Sequence, residues 1–235
     1  MTSAAQPRPQ NESLSIDPRH LLLIGAGPGV GGAVARRFAE GGFHVTLLAR
    51  STDGLAKLAE SLSDTGAVID TVTADASDPE GLRAKLTSAY ASRGAPGLLV
   101  YNASTLAPDS LLKSDVAHLH ETYDVDVVSA VVAAQVAAPA MKAGGGGTIL
   151  FTGGGFADHP LPALATISLG KAALRSAATI LGADLAGNGV RVASVTIAGQ
   201  VAPGTAFDPD RIAQTYWTIV QSEDAWQAEF RFEGN

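Results

Sequence analysis

The sequence predicts an α/β fold: one doubly wound, Rossmann-type parallel sheet with helices on both faces. Three observations predict it. Short apolar runs alternate with helical patterns along the chain, and strand–helix alternation gives parallel strands covered by helices on both sides. Apolar residues make up 46% and charged residues 17%, which supports a sizeable core. No domain break or internal repeat interrupts the pattern, so residues 18–235 read as a single domain behind a flexible tail, residues 1–17.

The elements follow in order. "HLLLIG" (20–25) reads as a buried strand, and 29–41 as a helix closed by Gly41 and Gly42. "HVTLLAR" (44–50) is the second strand. The helix over 52–63 places Leu55, Leu58, Ala59 and Leu62 at helical spacing. "VIDTVTAD" (68–75) is the third strand, and 78–92 a helix opened by Asp78 with Pro79 in its first turn. "GLLVYNAS" (97–104) is the fourth strand, 115–141 a long apolar helix, and 144–154 the fifth strand after a surface turn of glycines. A helix over 164–186 and a sixth strand over 190–199 complete the sheet. Ile212, Tyr216, Trp217 and Val220 mark a further amphipathic helix; Trp217, with Trp226 beyond it, is read as closing the core, with shielding of a substrate crevice as the alternative.

Composition removes several function classes. The formal charge of −7 argues against nucleic acid as a general partner. Without cysteine there is no disulfide, thiolate nucleophile or Cys-ligated metal. Five scattered His residues show no metal-ligand spacing, so no metal is expected, and no GxSxG nucleophile elbow is present. No apolar run is read as reaching membrane-span length, and the polar start lacks a signal-peptide pattern. A cytoplasmic location without a membrane partner is the expectation.

The first chemical signal is "LLLIGAGPGVGGAVARRF". Gly27, Gly29 and Gly32 spell GxGxxG; Gly25, Gly29 and Gly31 spell GxxxGxG. In either spacing the missing side chains let backbone approach a pyrophosphate, and Val30 begins a helix whose free N–H groups face it. After the second strand, where a carboxylate would hold ribose hydroxyls, stand Arg50 and Ser51. A guanidinium pairs with a ribose 2′-phosphate that a carboxylate would repel, so NADP(H) is favoured over NAD(H).

From about residue 20 to 200, the order of signals resembles the short-chain dehydrogenase/reductase family. The carriers are the GxxxGxG turn, Asp75 after the third strand, "YNAS" (101–104) in place of NNAG, and "ISLGK" with Lys171 at the lysine of YxxxK. The resemblance implies that Asp75 and Ala76 flank the adenine and that Asn102 and Ala103 lie along the cofactor. It implies that Lys171 bonds the nicotinamide ribose, and that Gly199 and Val201 touch the carboxamide. Ala198 replaces the usual Pro.

The departures bear on catalysis. Four residues before Lys171 stands Ile167, not the catalytic Tyr; thirteen further back stands Gly154, not Ser. In "DVDVV", Asp126 matches the family's catalytic Asn, and Leu164 occupies the alternative Tyr position of enoyl reductases. Substitute proton donors are Ser168, on nearly the same helix face as Lys171, and His159 in "FADHPLP". Tyr101 and Thr152 sit at strand ends and are weighed with them. Asp126 is expected to hold the Lys171 ammonium directly. Helices over 122–141 and 172–186, rich in small residues, are expected to pack against copies of the chain as a homodimer or homotetramer. The reading is an NADP(H)-dependent oxidoreductase acting on a small carbonyl, imine or activated alkene. Its rivals are an NADP(H) sensor without turnover, an isomerase or cyclase reusing the crevice, and a methyltransferase.

Overall fold

The computed structural model describes residues 16–234. Its strands are β1 (Ile16–Ile24), β2 (His44–Ala49), β3 (Ile69–Thr73), β4 (Ala95–Tyr101), β5 (Gly147–Gly154), β6 (Val190–Ile197) and β7 (Glu229–Phe232). They form one sheet in the order β3-β2-β1-β4-β5-β6-β7, with every pairing parallel. The predicted tail lies outside the described residues except for Ile16 and Asp17, which open β1 and pair with Ala95 and Pro96. The tail boundary therefore moves back. β7 was not expected: "EFRF" is short, half polar, and visible only as an edge strand beside β6.

The helices are α1 (Val30–Glu40), α2 (Thr52–Ser61), α3 (Pro79–Arg93), α4 (Val116–Tyr123), α5 (Ser129–Ala143), α6 (Ala165–Leu185) and α7 (Pro209–Gln221). A π-helical segment, Asp124–Val128, joins α4 to α5 into one long helix. Val116–Ala143 is long and apolar enough to cross a membrane by length and composition, which corrects the sequence reading; 61% of its most apolar window is buried inside the fold.

Alternation along each strand sorts the core into two layers. Leu22, Ile24, Leu99, Tyr101, Ile149 and Phe151 pack with residues of α3, α5 and α6. Leu21, Leu23, Val45, Leu47, Val100 and Leu150 pack with residues of α1 and α7. The central strands are covered on both faces and read as largely apolar runs, while the edge strands β3 and β7 are part-exposed and mixed. Trp217 crosses Phe38 and Phe43 edge-on, and Trp226 crosses Phe230 while its indole N–H donates to Val192 O at 3.0 Å. Both tryptophans close the flank of the core.

Candidate active site

The site lies at the carboxyl ends of β1, β4, β5 and β6, where doubly wound sheets place their ligand crevices. The chain leaves β1 through Gly25, whose amide, like that of Ala26, donates to Leu48 O. Gly25 has φ +87°, and a Cβ there would lie 2.4 Å from Ala103 N. A Cβ on Gly31 would lie 2.5 Å from Gly25 O. Backbone contacts within the chain thus require these two glycines. Gly27 and Gly29 differ: nothing lies within 4 Å of a Cβ at either, and neither has positive φ. The space above them is an open cradle at the start of α1, whose first turn has no side-chain cap and no acid. A pyrophosphate fits the donor chemistry of that cradle.

Beside it runs a cleft of about 840 Å³, lined by Gly27, Gly29, Arg50, Ser51, Lys57 and Asp210 among others. Arg50 is exposed and forms no ion pair among the described residues. Ser51 Oγ accepts from Gly54 N at 3.0 Å and caps α2, leaving its own proton free to donate. Asp75 is exposed and accepts from Ser77 N at 2.9 Å; Ala76 is buried, its carbonyl holding Ser129 Oγ at 2.7 Å.

A buried polar chain joins this cradle to the lysine. Asn102 Nδ2 donates to Gly25 O at 3.0 Å, and Thr152 Oγ1 donates to Asn102 Oδ1 at 2.9 Å. Because the Thr152 proton is used there, Tyr216 Oη donates to Thr152 Oγ1, at 2.7 Å. Lys171 Nζ donates to Thr152 O at 2.7 Å. Asn102, Thr152 and Lys171 are thus joined in one hydrogen-bonded chain. Tyr216 was read only as part of an amphipathic helix; its hydroxyl partner is 64 residues away in sequence, and no local pattern signals such a bond.

Lys171 is 5% exposed. Burial lowers its pKa to about 8, against the pull of the Asp126 charge. Asp126 is 2% exposed, and burial raises its carboxyl to about 6, opposed by the Thr105 hydrogen bond and the Lys171 charge. The expected direct ion pair is absent, however. Asp126 Oδ1 accepts from Thr105 N at 2.8 Å, while Oδ2 has no partner. The carboxylate is turned toward α6, where a Cβ on Gly170 would stand 2.8 Å from Oδ2. The π-helical segment carries Asp126 against that glycine, and Lys171 reaches the strand instead.

The substitute donors fare differently. Ser168 is buried, donating to Leu164 O at 2.7 Å and accepting from Leu161 N at 3.1 Å. Its hydroxyl is committed to backbone, a correction to its candidacy as donor. His159 is exposed in a loop held by its own amide on Gly155 O and by Asp158, which Arg175 and Arg231 grip at 2.5 and 2.9 Å. It forms no bond to the buried group. Tyr101 donates to Val125 O inside the core, and burial drives its pKa up.

Gly154 and Ile167 flank the lysine. A Cβ on Gly154 would lie 3.6 Å from Lys171 Cγ and 3.7 Å from Phe156 Cδ2, ordinary contact distances. Ile167 is buried on α6. The helix takes its N-terminal cap from a distance: Asp109 Oδ1 accepts from Ala165 N at 2.6 Å, and Asp109 also binds Thr166 Oγ1 and His118. After β6, Gly199 is covered by the Phe207 ring, and Val201 is partly exposed.

A sequence profile described as short chain dehydrogenase matches residues 19–207. Sulfoacetaldehyde reductase 2 of Chromohalobacter salexigens is 30% identical over 204 residues, which is 86% of this chain and 75% of that one. A 1-deoxy-11-beta-hydroxypentalenate dehydrogenase of Streptomyces avermitilis is 26% identical, covering 89% of this chain and 84% of its own. Among solved structures, L-sorbose reductase of Gluconobacter frateurii, complexed with NADPH and L-sorbose, superposes with a TM-score of 0.83 at 24% identity, covering 95% of this chain and 98% of that one.

Proposed function

The chain belongs to the short-chain dehydrogenase family of oxidoreductases, and on that premise we propose that it moves a hydride between NADP(H) and a small carbonyl, imine or activated alkene, using an atypical proton source. The observation that carries the reading is the pair Gly27 and Gly29, beside which no contact among the described residues would meet a side chain. Backbone at that cradle and the α1 N-terminus hold the pyrophosphate. Arg50 and the Ser51 hydroxyl meet a 2′-phosphate at the neighbouring cleft. Lys171, with its remaining N–H groups, holds the ribose of the nicotinamide, which supplies the hydride. Nucleotide calorimetry tests this directly: heat with NADPH is expected, and none at millimolar nucleotide rejects it.

Two variants sharpen the test. Gly27→Ala should keep the wild-type melting temperature, since its methyl meets no described atom, yet weaken nucleotide binding roughly tenfold or more by crowding the approach of phosphate. A melting loss without a binding loss would assign this glycine to the fold instead. Arg50→Ala should remove a charge-assisted bond worth about 1.5–3 kcal/mol. NADPH affinity then falls about tenfold to a hundredfold, with NADH affinity unchanged. Equal loss for both nucleotides would put Arg50 elsewhere.

A second reading, an NADP(H) sensor without turnover, is favoured specifically by Gly154 and Ile167 beside Lys171. It predicts a thermal shift with NADPH and no NADPH oxidation across a carbonyl and imine panel. In both readings the chain pairs with copies of itself through the helices over 122–141 and 172–186, where Tyr123 and Ile180 are exposed. Light scattering at the monomer mass would dismiss that assembly.

A further inference from the structure

The loop that follows β5 is gripped by charge. It carries Phe156, and a Cβ on Gly154 would lie 3.7 Å from Phe156 Cδ2 and 3.6 Å from Lys171 Cγ, so the ring borders the lysine stem. Two residues on, two guanidiniums share Asp158. Arg175 Nη1 donates to its Oδ1 at 2.5 Å and Arg231 Nη1 to its Oδ2 at 2.9 Å. Arg175 Nη2 also donates to Ala157 O at 3.2 Å, the second prong of a fork that a lysine lacks. Arg175 stands one helical turn after Lys171 on α6, so the grip falls on the helix face that carries the lysine. The amides of Asp158 and His159 both donate to Gly155 O, inside the loop itself.

The other half of the grip comes from the last strand. Along β7, Phe230 and Phe232 pack with the α1 and α7 layer. Alternation turns Glu229 and Arg231 to the opposite face, toward α6. There Glu229 Oε1 accepts from Thr196 Oγ1 at 2.6 Å and stands 3.3 Å from Arg231 and 3.9 Å from Arg175. Two carboxylates and two guanidiniums, drawn from the loop, α6 and β7, thus form one network of balanced charge. The four side chains are 25–38% exposed. Ion pairs this exposed add little to global stability and weaken with salt. Their effect is local: they fix where the loop sits.

We propose that Asp158 is a positioning residue: its network with Arg175 and Arg231 is a latch that holds the 155–161 loop, and through it Phe156, beside Lys171, with β7 as the brace. The bearing on catalysis rests on the reaction site lying next to Lys171, whereas the latch itself needs no nucleotide. β7 then has a task that its length and polarity suit. Its two phenylalanines anchor it to the core, and its two charged residues reach across the sheet edge to the loop.

Hydrogen exchange on the full chain without added nucleotide, read by peptide mass spectrometry, tests the latch. In Asp158→Asn and in Arg231→Ala, exchange across 155–161 should rise roughly tenfold, while exchange in β1 and β4 and the melting temperature stay as in wild type. Arg231→Lys keeps the charge and should restore most of the protection. Salt at about 1 M should speed exchange in the wild-type loop and leave the Asp158→Asn loop unchanged. Loop exchange at the wild-type rate in both variants overturns the proposal. A rise spread equally over α6, β6 and β7 also overturns it, because the network would then be a plain support of the fold. So does a salt response that Asp158→Asn shares in full. NADPH calorimetry decides the hydride reading separately, so either can fail while the other stands.

Discussion

Gly154→Ser combined with Ile167→Tyr should raise NADPH-dependent carbonyl reduction by about 10²–10⁴-fold, the usual worth of a positioned general acid. The geometry allows it. A serine Cβ at residue 154 meets only side-chain atoms at 3.6 Å or more, and those atoms belong to Lys171 and Phe156. Residue 167 lies one helical turn before Lys171 on α6, so a tyrosine there shares its face with the lysine. The lysine charge next to a phenol stabilises the phenolate left behind, so the phenol gives up its proton more readily near neutrality. Ile167 is buried, so the larger ring must displace its neighbours, and overpacking of this kind costs about 1–3 kcal/mol. The melting temperature of Ile167→Tyr alone measures that cost separately. A double variant that folds, binds NADPH and still reduces carbonyls no faster than wild type would show that the missing hydroxyls are not what limits this site.

That prediction draws on what was already readable in the sequence. Strands β1, β2, β4, β5 and β6 announced themselves because a strand covered on both faces is largely apolar, whereas the part-exposed edge strand β3 showed through its alternation with the helical patterns on either side. The glycine turn and Lys171 were legible for a related reason: short-range spacing fixes them, as turn and helix face are both local properties. What was hidden depends on residues far apart. Asp109 caps α6 from 56 positions away, and Thr152 binds Asn102 and Tyr216 at separations of 50 and 64. The π-helical segment is the clearest case. "DVDVV" placed Asp126 on the long helix, but not the extra backbone width that turns its carboxylate toward Gly170 and away from the Lys171 ammonium. An ion pair inferred from alignment became two buried groups coupled only through space. β7 was missed because an exposed edge strand of four residues has too little periodicity to be seen.

The same distinction sets the two ends of the sheet apart. At the carboxyl end, Asn102, Thr152 and Lys171 find partners in one hydrogen-bonded chain. At the amino end, the buried polar groups bear on stability. His20 and His44 occupy paired positions on β1 and β2, their rings stacked at 4.3 Å and 8°. His20 Nε2 meets Thr46 Oγ1 at 2.8 Å, while its Nδ1 is buried without a partner. His44 Nε2 meets Asp70 Oδ2 at 2.9 Å, and Arg93 Nε donates to the same oxygen at 2.7 Å.

Acid should therefore destabilise the fold through His20, and His20→Phe should abolish that part of the pH dependence. His20 is 2% exposed. Burial first, then the His44 charge, lowers its pKa from 6.5 to about 4, although Asp17 and Asp70 pull the other way. The unfolded chain takes up the proton near 6.5 and the folded chain only near 4, so the unfolded state binds more protons between those values. Stability is complete above pH 6.5 and drains away as pH falls toward 4, by about 3 kcal/mol for a displacement of this size. Asp126 works in the opposite sense within an overlapping window. Its folded carboxyl titrates near 6 in place of 3.8, so its penalty is present above pH 6 and is relieved as pH falls through that range. The wild-type curve alone mixes the two, and the informative quantity is the difference between wild type and His20→Phe. Phenylalanine keeps a ring against His44 and leaves Thr46 short of one partner, a cost that does not change with pH. Urea midpoints taken from pH 7 down to pH 4 (about the span of the two His20 values) should therefore converge, with wild type losing its advantage as acid is added. Parallel curves would mean that His20 takes up its proton equally in folded and unfolded chains, and that the stacked pair is no barrier to charge.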